Sequence, residues 1–171
     1  MEAPQYPAGP NPTAEELPPR ETLIHQIETA PQALRKAVEG LTDVQLDTKY
    51  KNWTIRQIVH HLADSHANSY IRFKWALTED NPVIKTYDEN KWSDLEESKT
   101  GSLEAPLAML EGIHRQWVQL LRAMTEEQYN RAFIHPVGNR TILLKNAVGT
   151  YAWHSRHHTG QILWMRENKR V

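Results

Sequence analysis

The chain has 171 residues, a formal net charge of −1 and no cysteine. That length suits one ordinary domain, the scattered basic residues leave no electrostatic footprint for nucleic acid or an anionic membrane, and any metal must be held by nitrogen or oxygen. No apolar run approaches the roughly 18 residues a membrane span needs, and the N-terminal stretch lacks the basic and apolar regions of a secretory leader, so a soluble cytoplasmic protein is expected.

Residues 1–19 carry six of the ten prolines and are expected to form an extended arm, leaving 20–171 as a single domain. From Arg20 to about Glu39, Leu23, Ile27, Ala30, Leu34 and Val38 recur at helical spacing, with Pro31 predicting a kink. In NWTIRQIVHHL, Thr54 and Gln57 form a capping box, and Trp53 with Ile58 a hydrophobic staple, so a second helix starts there and runs to about Thr78, before Asn81-Pro82. A polar loop is expected up to Gly101, then a third helix capped by Ser102 and marked by Leu103, Leu107, Leu110, Ile113, Trp117 and Leu121. Pro136 and Gly138 mark a turn between Phe133-Ile134 and Ile142-Leu143, a candidate small hairpin. The fourth helix runs from about Leu143 to Arg166. Four helices without a convincing sheet predict an all-α four-helix bundle.

The motif WHSRHH, residues 153 to 158, concentrates three of the nine histidines. Residues i and i+4 project side by side on a helix, so His154 and His158 share the stripe that also carries Tyr151 and Ile162 and can offer two imidazole nitrogens to one ion. A third ligand must come from another helix, where HHLADSH offers His60 or His61, adjacent residues that face different ways. His25, His114 and His135 read as structural, and Trp75, Trp117 and Trp153 as core.

The run WTIRQIVHHLADSHANSYIRFKWALTED, the loop with Tyr87, Asp88 and Trp92, then HRQWVQLL, HP with Gly138, YAWHSRHH, and Tyr6, Pro7 and Gly9 near the start together resemble the YfiT-like branch of the DinB superfamily over nearly the whole chain. The resemblance implies a DinB/YfiT-type bundle holding one divalent metal ion, zinc first and nickel as the alternative, on His61, His154 and His158. It also implies a homodimer and a metal-dependent hydrolase of a small-molecule substrate, or a thiol S-transferase acting on a cellular thiol such as bacillithiol; a non-catalytic metal-binding protein is the third class. Three protein ligands leave an open position of the kind catalytic sites keep. Unlike a zinc peptidase helix, the stretch between His154 and His158 supplies no glutamate base; Asp64, three residues after His61, is the candidate to orient that ligand or take a proton. Thr159, Gly160 and Gln161 depart from the family pattern, which puts in question a polar role at 161 and the stiffness of the helix at Gly160.

Overall fold

In the computed structural model, which describes residues 2–168 and 170–171, the order of elements is α1 (Arg20–Val38), α2 (Asp43–Leu46), β1 (Lys49–Tyr50), β2 (Trp53–Thr54), α3 (Ile55–Thr78), α4 (Glu89–Ser93), α5 (Glu96–Thr100), α6 (Glu104–Ala123), α7 (Glu126–Tyr129), β3 (Ala132–His135), β4 (Arg140–Leu143) and α8 (Leu144–Glu167). The four long helices close a ring: α1 packs on α6 and α8, and α3 packs on the same two from the other side. No described helix is long and apolar enough to cross a membrane.

The capping chemistry is where the sequence puts it. Thr54 accepts from the backbone N–H of Gln57 at 3.1 Å and Gln57 returns Oε1 to the Thr54 N–H at 2.9 Å, starting α3 at Ile55. Ser102 serves α6 from one residue further out than expected, accepting from the Glu104 N–H at 3.2 Å while Leu103 takes the cap position. The predicted hairpin forms as β3–β4, with Phe133 opposite Ile142 and Gly138 turning at φ 76°.

Two expectations change. The connection after α3 is not a plain polar loop: it folds into α4 and α5, held to α3 by Gln57 Nε2 on the Ser93 carbonyl at 2.8 Å, while Arg56 Nη1 on the Gly101 carbonyl at 2.8 Å ties the start of α3 to the residue that follows α5. Trp75 is 37% exposed and lies outside the core, whereas Trp117 is fully buried.

Residues 2–19 lie on their own chain. Ala3 packs on one end of the core and Leu17 on the other, Tyr50 donates its hydroxyl hydrogen to the Pro4 carbonyl, and Trp153 donates its indole N–H to the Gly9 carbonyl at 2.8 Å. The glycines of α8 open the seats for this arm. A Cβ at Gly149 would stand 2.2 Å from a methyl of Leu17, and one at Gly160 would stand 3.1 Å from Pro7, so the departure at position 160 trades helix propensity for close approach.

The core is divided in two. One cluster gathers Leu23, Ile24 and Ile27 with Phe73, Trp117, Val118, Leu144 and Ala152. The other gathers Leu34 and Val38 with Ile55, Ile58, Leu62, Leu107, Leu110 and Ile162. On each of α3, α6 and α8 the residues between the two clusters include histidine: His66, His114, and the pair His154 and His158.

Candidate metal centre

His61 reaches the middle of the bundle because Ile58 and Leu62 lock that face of α3 into the core, and the same face continues one turn on to Ser65 and then to His66. His60, its neighbour, turns away from the group, so the choice that spacing left open falls on His61. His154 and His158 project together from α8.

Ligand atoms of His61, His154 and His158 all lie within 4.8 Å of one another. Nε2 of His154 is 3.2 Å from Nε2 of His61 and 3.1 Å from Nε2 of His158. Three nitrogens bound tetrahedrally at 2.0–2.1 Å would stand about 3.3 Å apart, so the donor set fits a zinc-sized divalent ion with little rearrangement. His61 and His158 are buried and His154 is half-buried. Burial pushes the His61 imidazolium down to about 4 and those of His154 and His158 well below the ordinary histidine value, and the neighbouring histidines push His154 and His158 the same way. Neutral imidazoles are the ligand form.

Trp53, carried on β2 immediately before α3, lies against the rings of His61 at 4.4 Å and His158 at 6.0 Å between centroids. Nδ1 of His158 meets Oε1 of Gln161 at 2.8 Å, and Nε2 of the same amide meets His157 at 3.1 Å. Position 161 thus has a polar role after all. His157 itself lies outside the group, with its ring stacked on Trp153 at 4.8 Å and under Tyr6 of the arm at 5.7 Å.

Asp64 sits half-buried on α3, its carboxyl pushed up to about 6 by burial and then by the nearby Glu97 charge. Among the described residues no hydrogen bond joins its carboxylate to His61, His154 or His158. Tyr151 packs edge-on to His66 at 5.3 Å and to His154 at 6.1 Å, and its hydroxyl accepts from Arg72 at 3.2 Å. In the connection beyond α3, Tyr87 packs on Trp92 at 4.4 Å, and Asp88 caps α4 through the N–H groups of Asn90 and Lys91.

The other histidines divide. His25 is exposed beside Glu28 at 3.9 Å, and His135 ends β3. His114, expected to be structural, is buried in the middle of the bundle and in contact with His66, which sequence reasoning gave no role. The available signal was HHLADSH itself, whose last histidine falls between the two apolar runs of α3.

Residues 26–162 match the DinB superfamily model. The chain belongs to the DinB superfamily. It is 48% identical over 167 residues to a Bacillus subtilis protein named "Putative metal-dependent hydrolase YfiT", with 92% of this chain and 90% of that one covered. A Bacillus cereus relative of the same description is 47% identical over 169 residues, covering 95% of each. The solved structure of YfiT from Bacillus subtilis, described as a probable metal-dependent hydrolase with an unusual four-helix bundle topology, superposes with a TM-score of 0.92 at 45% identity over 96% of this chain and 97% of that one. A mycothiol-dependent maleylpyruvate isomerase shares the fold at a TM-score of 0.65 and 14% identity, covering 83% of this chain and 60% of its own.

Proposed function

We propose that this protein is a metal-dependent hydrolase whose divalent ion, zinc in the first instance, is held by Nε2 of His61, His154 and His158. The observation that carries the reading is the convergence of three neutral imidazole nitrogens at tetrahedral spacing in the centre of a bundle. The names of the relatives support it.

A divalent ion bound there supplies a Lewis acid for a substrate carbonyl or for a thiolate. The chain does the rest. Trp53 covers one side of His61 and His158 and keeps water from it, fixing the ring planes. Asp64, half-buried three residues along α3 from His61 and with its carboxyl pushed up to about 6, is the acid this reading assigns to proton transfer near neutrality. A second reading, thiol S-transfer, is favoured by one observation: among the described residues no carboxylate is hydrogen-bonded to any of the three histidines, and a metal-stabilised thiolate needs less from a base.

Two assays on zinc-loaded protein separate the readings: hydrolysis of a panel of activated esters and amides, and consumption of bacillithiol or another cellular thiol with a model electrophile. Hydrolysis that disappears in His61→Ala is the expected result. Thiol consumption without hydrolysis would assign the transferase, and indifference of both assays to His61→Ala would leave only a metal-binding module. Pairing of two copies is a separate proposal. The arm lies on its own chain and gives it no support, so it rests on the family resemblance; light scattering at micromolar concentration tests it.

A further inference from the structure

Behind His154 the hydrogen bonding continues across the bundle to a backbone carbonyl on α1. Nδ1 of His154 meets Nε2 of His66 at 3.2 Å, Nδ1 of His66 meets Nε2 of His114 at 2.9 Å, and Nδ1 of His114 meets the carbonyl oxygen of Ile27 at 2.6 Å. The three side chains come from α8, α3 and α6, and the carbonyl from α1, so each of the four long helices supplies one link.

That carbonyl is available for a reason written in the sequence. Within a helix the oxygen of Ile27 would be bonded by the N–H of residue 31, and residue 31 is proline, which has none. Pro31 therefore leaves a buried acceptor in the middle of α1, and His114 satisfies it.

Polarity follows link by link. A carbonyl oxygen only accepts, so Nδ1 of His114 carries the proton. A neutral imidazole has one donor and one acceptor, so Nε2 of His114 accepts, and Nδ1–H of His66 must be its donor. By the same step Nε2 of His66 accepts from Nδ1–H of His154, which leaves the lone pair of His154 on Nε2, facing His61 and His158. His66 and His114 are fully buried and hydrogen-bonded to imidazole and carbonyl groups, with no carboxylate among these partners to sustain a charge, so each is the neutral ring. Every link is determined by the one before it.

We propose that Pro31, the Ile27 carbonyl, His114 and His66 form a one-directional relay that locks His154 in the Nδ1–H tautomer and so presents its Nε2 lone pair to the metal. His66 and His114 are positioning residues, and the relay rests on the metal-site reading above. Gln161 serves His158 more locally, its Oε1 accepting from Nδ1. Supporting groups of this kind are worth about 10–100-fold in metal affinity.

Two measurements on the full-length chain test the relay. In metal-free protein labelled with ¹⁵N at histidine, long-range ¹H–¹⁵N spectra are expected to show Nδ1–H at His114, His66 and His154; an Nε2–H tautomer at any of the three overturns the relay. In His114→Phe, which keeps an aromatic ring but removes both nitrogens, His66 is free to flip and give His154 an Nε2–H, so zinc affinity measured by chelator competition is expected to fall by about 10-fold or more. Should that variant not fold, the tautomer spectrum of the wild type decides. Wild-type zinc uptake with unchanged affinity in folded His114→Phe overturns the relay alone, whereas absence of uptake by the wild type overturns the metal-site reading and the relay together.

Discussion

The bundle is two kinds of material stacked along its axis. At one end an apolar cluster is filled by Leu, Ile, Phe and Trp, at the other by Leu, Ile, Val and Ala, and between them lies a layer that carries the buried histidines. The clusters hold by exclusion of water, which is non-directional and tolerant of shape. The histidine layer has little apolar surface to bury and depends on directional hydrogen bonds, so it tolerates far less. The clusters account for the fold, and the layer for what the fold carries.

Acid is the strongest way to break that division. His61 and His114, held near 4 against an ordinary 6.5, bind protons more readily unfolded than folded. Their neutral forms cost nothing above about pH 6.5, and as pH falls below it each withdraws stability, reaching about 3 kcal/mol apiece near pH 4. The metal-free protein is therefore expected to unfold between pH 6 and 4 in a titration followed by circular dichroism, with the apolar clusters unchanged in composition. A flat stability profile over that range would mean the layer is wetter than its geometry implies.

Trp117→Ala acts on the other material. It removes the largest fully buried side chain from one cluster and is expected to cost about 3–5 kcal/mol in urea unfolding. Its acid midpoint should move in step with that loss, while His114→Phe, which deletes a titrating group, should shallow the acid slope. His154→Ala belongs to the layer alone: zinc affinity is expected to fall by more than the about 10–100-fold that a supporting residue is worth, with the urea midpoint of the metal-free protein changed far less than by Trp117→Ala. The mildest change is Pro31→Ala. It returns an N–H to the Ile27 carbonyl, so thermal stability is expected to hold or rise while zinc affinity drops a few-fold, opposite signs that a purely packing role for Pro31 would not produce.

Most of the architecture was legible because it is written in local chemistry. Thr54-x-x-Gln57, the 3.6-residue periodicities and the Pro136–Gly138 turn each specify an element without reference to the rest. The inward pair His154 and His158 was legible from spacing, and His61 rather than His60 from the family resemblance. The role of His66 was not, because its meaning depends on a histidine 48 residues away on another helix. Pro31 was visible as a break in helical bonding, but the acceptor it releases has a use only once α6 lies against α1. Gly160 puts the stiffness of the helix in question and Gln161 the polar role of its position; in the fold one seats Pro7 and the other binds His158. Trp75 shows the converse limit, since a large aromatic ring on an amphipathic helix carries no local mark of which side it faces.

The N-terminal arm has a consequence for synthesis. Its anchor points on α8 lie far along the chain: Gly9 waits 144 positions for Trp153. A ribosome adding about 5–20 residues each second exposes the arm for several seconds before that helix emerges. Throughout that interval the arm lacks its seats on α8, with only the Tyr50 end of the core available to Pro4, and its prolines keep it from joining a premature helix or sheet of its own. Closing this contact is a late, long-range event, of the kind that slows folding without weakening the final state. The arm is thus a strap that translation leaves open until the last helix is made.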